Sequence, residues 1–217
     1  MGKLIRLWER MDAPRRRSGG SRSGTTATAA ELSFDLRCPY SYLAAEQLER
    51  AFDELIWTPA SWTALHPVGA CRDGGADAYR RAAEARAAAL RLPLVWPERW
   101  PAGVPAAMRV AAFARERGRG GPFVLAAMRL AFCGGFDLDD PETLAEAAAA
   151  SRLPLDACFA AARNTRRDRR IERAGRRLAA LGADRLPALR VGGAVDWGEA
   201  RVAGLVDGVR SDRRARR

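Results

Sequence analysis

Among the chain's four cysteines and single histidine, Cys38 stands where a thiol can do most. It opens the run Cys38-Pro39-Tyr40-Ser41. Before it, Leu32, Phe34 and Leu36 alternate with Ser33, Asp35 and Arg37; after it, Tyr42 to Leu48 reads as helix. Period-two alternation predicts a short strand, and Pro39 suits a first helical turn, where a missing N–H costs nothing. Cys38 is thereby expected at a helix N-terminus, where unpaired N–H groups and the helix dipole favour an anion. This placement predicts a thiol that titrates below its free value of about 8.5 and reacts as the thiolate. Ser41, about one turn on, is placed to donate a hydrogen bond to the Cys38 sulfur or to a bound thiolate. It cannot serve as a resolving thiol, so a mixed disulfide on Cys38 would await an external thiol. The bland alternative is an inert cysteine buried at a strand end.

The other reactive residues offer less. Cys71, Cys133 and Cys158 show no CxxC or CxH spacing, which argues against a zinc site. Cys133 and Cys158 fall in predicted helices and read as small buried hydrophobes. Cys71 sits in a loop from His66 to Ala76 and is the one candidate for a remote resolving thiol. His66, beside Pro67, has no second ligand at metal spacing, so no metal is expected. Asp35 reads either as a buried proton carrier beneath Cys38 or as an ordinary solvent-facing residue. Asp196 and Glu199, flanking Trp197-Gly198, read either as a grip for an amino group or as turn and cap residues.

Positioning Cys38 requires a frame. A second strand is expected from Leu55 to Trp62, with Pro59 tolerable only at an edge or bulge, so the chain begins βαβ. Apolar residues at three- and four-residue spacing then predict helices at 77–91, 104–117, 121–133, 141–151, 154–163 and 165–181. Proline and glycine supply the breaks. Asp139 or Asp140 is expected to cap the helix opened by Pro141, and Met108, Phe113, Met128 and Phe132 are assigned to the core. Ala188–Val191 and Ala194–Trp197 flank Gly192-Gly193 as a hairpin, with Pro187 at the strand start and a closing helix from Glu199 to Val209. So βαβ and ββα flank an all-helical insert. The organisation expected is a basic leader over 1–30, an α/β domain from 31–76 and 182–209, an inserted helical domain over 77–181, and a basic tail over 210–217.

Composition bounds the rest. At 217 residues and 48% hydrophobic, the chain can fill one sizeable core, and its net charge is +11. Residues 1–30 carry seven basic and two acidic groups, and residues 210–217 carry five and one. The body is left near +2, so the charge reads as solvated ends and not as a nucleic-acid surface. The leader has too few apolar residues to pack and lacks the apolar core of a secretory signal. No run approaches the ~20 apolar residues of a membrane span. A cytoplasmic address is expected. Of the 37 basic residues only Lys3 is lysine, a bias that points to a GC-rich genome.

The order FDLRCPYSYLAAEQLER, then LRLPLVWPERWP within a helical insert, then LPALRVGG and VDWGEAR, resembles the DsbA-like thioredoxin-fold proteins. Within them it resembles the branch holding 2-hydroxychromene-2-carboxylate isomerase and kappa-class glutathione transferase. The likeness covers roughly Leu32 to Val209. It implies a thioredoxin fold (βαβ…ββα) with a large all-helical insertion, and thiol–disulfide exchange through Cys38. The alternatives it leaves open are a thiol-dependent isomerase or transferase, and a non-catalytic thioredoxin-fold binding module. Cys38 matches the reactive cysteine of the oxidoreductases, where the isomerase branch has serine; Ser41 matches the isomerase branch, where the oxidoreductases have their second cysteine. Pro39 and Tyr40 fit both. Pro187 matches the family's cis-proline, and Leu186 the residue before it, whose backbone pairs with the thiol ligand. Trp197-Gly198 is present and Arg201 matches the arginine of an Asp-Arg pair that holds a glutathione γ-glutamyl end, but Ala200 replaces the aspartate. Ala102-Gly103 stands where an asparagine is expected. The resemblance implies no tightly bound cofactor, glutathione or another low-molecular-weight thiol as co-substrate, and a small thiol or disulfide as substrate; it leaves a homodimer open.

Overall fold

The structure, a computed structural model, describes residues 30–52, 54–65 and 75–215. The leader before Ala30, and with it His66 and Cys71, lies outside the described residues.

Strand β1 (Ala30–Phe34) buries Ala30, Leu32 and Phe34 on one face, as the alternation predicts. It is central in a four-stranded sheet of order β2-β1-β3-β4. Strand β2 (Leu55–Pro59) runs parallel to it. Strands β3 (Ala188–Val191) and β4 (Ala194–Trp197) form the antiparallel hairpin on its other side. A parallel pair needs a crossover, and helix α1 (Pro39–Leu48) supplies it. Ala30 opens β1 instead of closing the leader. Pro59 is the last residue of an edge strand, where its missing N–H breaks no ladder.

The expected second strand stops three residues short. Trp62 opens a short helix, α2 (Trp62–Leu65). Its N–H donates to the Asp35 carboxylate at 3.0 Å, and the Ser61 N–H donates to the Ile171 carbonyl at 3.2 Å. Partners outside the sheet turn the chain there.

The insert is helical as expected: α3 (Gly75–Ala89), α4 (Pro105–Glu116), α5 (Gly120–Gly134), α6 (Pro141–Ala150), α7 (Leu155–Arg163) and α8 (Asp168–Ala180), the last preceded by a 3₁₀ turn over Thr165–Arg167. Asp140 caps α6, accepting from the Thr143 N–H at 3.0 Å, with Pro141 at its first position. Met108, Phe113, Met128 and Phe132 are buried. They belong to one apolar cluster that runs from Leu32, Phe34 and Leu189 of the sheet through Leu43 and Leu48 of α1 into the insert. The closing helix α9 (Glu199–Ala215) continues six residues beyond Val209. Among the described residues no helix is long and apolar enough to cross a membrane.

Two features fix the helices nearest Cys38. Glu46, buried on α1, is gripped by two guanidinium nitrogens of Arg129 on α5 at 2.6 and 2.9 Å. On the other side α8 touches the α2 segment so closely that a Cβ on Gly175 would stand 2.6 Å from the Ser61 carbonyl oxygen and 2.8 Å from the Ala64 methyl. Only glycine allows that approach.

Candidate functional site

Cys38 is the N-cap of α1, with extended backbone (φ −91°, ψ 112°) and Pro39 at the first position. A tight turn delivers it there: the Cys38 N–H donates to the Asp35 carbonyl at 3.0 Å, and the Cys38 carbonyl accepts from Ser41 and Tyr42 at 3.0 and 3.3 Å. The Leu186–Pro187 peptide is cis, and the Leu186 carbonyl oxygen lies 3.7 Å from Cys38 Sγ. The two ends of the α/β frame therefore meet at the sulfur. A third partner comes from the insert: the Tyr79 hydroxyl of α3 lies 3.8 Å from Sγ.

The sulfur is shut in. Cys38 is 1% exposed and Ser41 fully buried. The Ser41 hydroxyl has no hydrogen-bond partner among the described residues. It stands close enough, with its backbone N–H, to favour the thiolate. The expected low thiol pKa is not what results. Burial pushes the Cys38 thiol up from its ordinary value, the Asp35 charge adds to the rise, and hydrogen bonding by Ser41 and Tyr79 only partly offsets it. A helix N-terminus stabilises an anion by roughly 0.3–2 kcal/mol, and stripping water from a thiolate costs more than that. Desolvation wins in this closed arrangement.

Asp35 takes the buried one of its two expected readings. Its carboxylate accepts from the Arg37 and Trp62 N–H groups at 3.0 Å each, with the Arg37 guanidinium 3.6 Å away. Burial pushes its pKa up, opposed by the Arg37 charge and the two backbone donors.

Around this centre stands an aromatic wall that sequence reasoning missed. The Tyr79 ring meets Tyr40 edge-on at 5.2 Å and Trp62 at 5.9 Å, and stacks on Trp100 at 5.8 Å. Trp100 is 4.5 Å from Trp96, its indole N–H donates to the Arg37 carbonyl at 3.0 Å, and its peptide bond to Pro101 is also cis. Arg37 lies over the Trp62 ring at 5.9 Å. Arg37, Trp62, Ala76, Tyr79, Trp100 and Pro101 line a cavity of about 60 Å³, and Tyr79 touches the cavity and the sulfur alike. The available signals were a lone aromatic, Tyr79, on an Ala/Arg helix, and two Trp-Pro pairs, Trp96-Pro97 and Trp100-Pro101.

The remaining candidates divide. Tyr40 packs with Cys38, Leu186 and Trp197 in one apolar cluster, and its phenol is pushed up by burial and by the Cys38 charge. Gly198 (φ +85°) takes the left-handed backbone that favours glycine, and its N–H donates to the Pro187 carbonyl at 2.8 Å. Arg201 stacks its guanidinium 5.8 Å from the Trp197 ring. The Glu199 carboxylate is taken up by Arg86 of α3 and Gln47 of α1, at 2.9 and 2.8 Å. Asp196 pairs in register with Leu189, so alternation puts it on the face opposite Trp197. Cys158 is buried as expected, whereas Cys133 is exposed; it lies in the last turn of α5, 3.3 Å from the Tyr42 hydroxyl. Among the described residues no group of three His, Cys, Asp or Glu side chains could hold a metal.

Comparison with known proteins agrees with this architecture. No curated protein sequence matches the chain. Among solved structures, 2-hydroxychromene-2-carboxylate isomerase superposes with a TM-score of 0.73 at 16% identity, covering 87% of this chain and 97% of that one. The cytosolic disulfide reductase DsbM from Pseudomonas aeruginosa gives 0.64 at 17% identity, covering 87% and 98%. Its structure with GSH gives 0.63 at 16%, with the same coverage. At these identities the likeness is one of fold. The DSBA-like thioredoxin domain matches residues 30–210, nearly the whole of the described chain, and the protein belongs to that family.

Proposed function

We propose that the protein is a monothiol oxidoreductase that exchanges thiols and disulfides through Cys38. One observation carries the reading: a cysteine at a helix N-terminus, its sulfur within 3.7 Å of the backbone carbonyl that precedes cis-Pro187. In the first step the Cys38 thiolate attacks one sulfur of a disulfide, forming a mixed disulfide and releasing the other half as a thiolate that takes up a proton. Ser41 cannot resolve this intermediate. An external thiolate attacks the substrate sulfur, the mixed disulfide breaks, and Cys38 leaves as thiolate. The net change is one disulfide and one thiol exchanged for another pair, with no change in oxidation level.

Glutathione or another low-molecular-weight thiol suits the second step; a DsbM structure carries GSH. A monothiol of this kind needs a thiol-rich compartment, which favours a cytoplasmic address. The buried neutral thiol is consistent with a resting state protected from adventitious oxidation.

A second reading, a thiol-dependent isomerase or transferase, is favoured by the aromatic cavity beside the sulfur. At about 60 Å³ it suits part of a small planar molecule better than a polypeptide. The separating experiment is turnover of a small disulfide in the presence of glutathione. Wild type should cycle and Cys38→Ala should not. Equal rates in the two proteins would end the first reading.

A further inference from the structure

We infer that Tyr79, contributed by the helical insert, is a catalytic residue that donates a hydrogen bond to the Cys38 thiolate. The inference rests on the proposed use of Cys38 and assigns a role to a residue outside the α/β frame. In the thiol state Sγ has a use for its proton, because the Leu186 carbonyl oxygen stands 3.7 Å away as an acceptor. Once the proton leaves, that carbonyl offers nothing but its negative end. The sulfur then needs donors, and among the described residues two side-chain hydroxyls face it beside the Ser41 backbone N–H. The Ser41 hydroxyl is buried and unpartnered, and the Tyr79 hydroxyl is 3.8 Å away.

Tyr79 is the better held of the two. Tyr40 and Trp62 meet its ring edge-on and Trp100 stacks on its face, so its hydroxyl is aimed by packing before any substrate arrives. Such prepaid orientation is what makes a donor effective at a developing anion. The same hydroxyl serves when Cys38 leaves the mixed disulfide, because the same sulfur then regains its charge. Arg37, in the same turn as Asp35, is drawn to that carboxylate at 3.6 Å. The groups facing the sulfur are Asp35 from the β1–α1 turn, Ser41 from α1 and Tyr79 from α3. Tyr40 senses it too, and brings Glu199 and Arg185 to bear only at second hand.

The test is the pH dependence of Cys38 alkylation by iodoacetamide, followed by peptide mass mapping, in wild type and Tyr79→Phe. The phenylalanine keeps the ring in its aromatic clamp. Loss of the donor should move the titration up by about one pH unit, so that the rate near pH 8 falls about tenfold while the limiting rate at high pH is kept. Thermal melting in the same buffers checks that the variant folds, and Ser41→Ala should show a second, separate upward shift. Coincident profiles for wild type and Tyr79→Phe, or faster alkylation of the variant across the whole range, would overturn the inference and leave Tyr79 as a cover. Alkylation reads the thiolate whether or not the protein turns over disulfides. An unmoved profile with Cys38-dependent turnover sinks only the role of Tyr79; a shifted profile with Cys38-independent turnover sinks only the proposed function.

Discussion

Among the described residues a cysteine stands beside a tyrosine hydroxyl twice, and the two pairs are unlike. Cys38 meets Tyr79 at 3.8 Å and Cys133 meets Tyr42 at 3.3 Å, so by distance alone the second pair is the tighter. Yet Cys133 is exposed and sits in the last turn of α5, among carbonyl ends. Its tyrosine is already committed, donating to the Pro93 carbonyl at 3.0 Å, and the Tyr42 phenol is pushed up by burial and by Cys133 itself. Cys38 sits at the opposite end of a helix, among N–H groups, with the buried Ser41 hydroxyl at hand as a second donor beside Tyr79. Contact between a thiol and a phenol is therefore no sign of chemistry. Helix polarity, the buried Ser41 hydroxyl and a neighbouring cavity distinguish the site from the accident.

That contrast can be broken in graded ways. The largest effect belongs to the sulfurs themselves: Cys38→Ala should lower disulfide turnover at least ~100-fold, as loss of a nucleophile does, whereas Cys133→Ala should stay within about twofold. Next comes the frame. Gly175→Ala drives a methyl into the Ser61 carbonyl and should cost about 1–3 kcal/mol in denaturant unfolding. It should also loosen Trp62 and speed Cys38 alkylation without changing that of Cys133. Ser41→Cys should supply the missing resolving thiol. Oxidation should then join Cys38 to the introduced thiol in a disulfide detectable by mass mapping, with dependence on external thiol reduced, at a cost of about 1–3 kcal/mol for overpacking a fully buried site.

The smallest effect is electrostatic. The Asp35 charge raises the Cys38 pKa, so Asp35→Asn should move the alkylation profile down by a few tenths of a pH unit. The linkage has a definite sign. The native thiol is raised above its unfolded value, so the fold holds its proton longer. The stability this contributes is fully present below the unfolded thiol pKa and is lost as pH rises toward the folded one. Cys38→Ala should flatten that alkaline loss, read as chemical-denaturation stability against pH.

What could be read from the sequence was what neighbours in the chain decide. Strand β1, the turn at Cys38 and the start of α1 follow from alternation and from Pro39, so the cysteine's place at a helix end was legible. The hairpin at Gly192-Gly193 was legible for the same reason. The cis state of Pro187 came only through family likeness, because nothing local marks a proline as cis. The strand from Leu55 was drawn too long because its true end depends on the Asp35 carboxylate, 27 residues away, accepting from the Trp62 N–H. Tyr79 and Trp100 were invisible as site residues because only the packing of the insert brings them to the sulfur. The thiol's pKa was misjudged in direction for that same reason: the helix end is local, whereas the burial that outweighs it is assembled from separate parts of the chain.

The most direct test is to oxidise the protein carrying both Cys71→Ala and Cys133→Ala with a small disulfide in the absence of reducing thiol and measure its intact mass and peptide map. The account predicts one mixed-disulfide adduct, on Cys38, that is released on addition of glutathione at the rate of turnover. An unmodified Cys38 in a protein that still turns over the disulfide would contradict it.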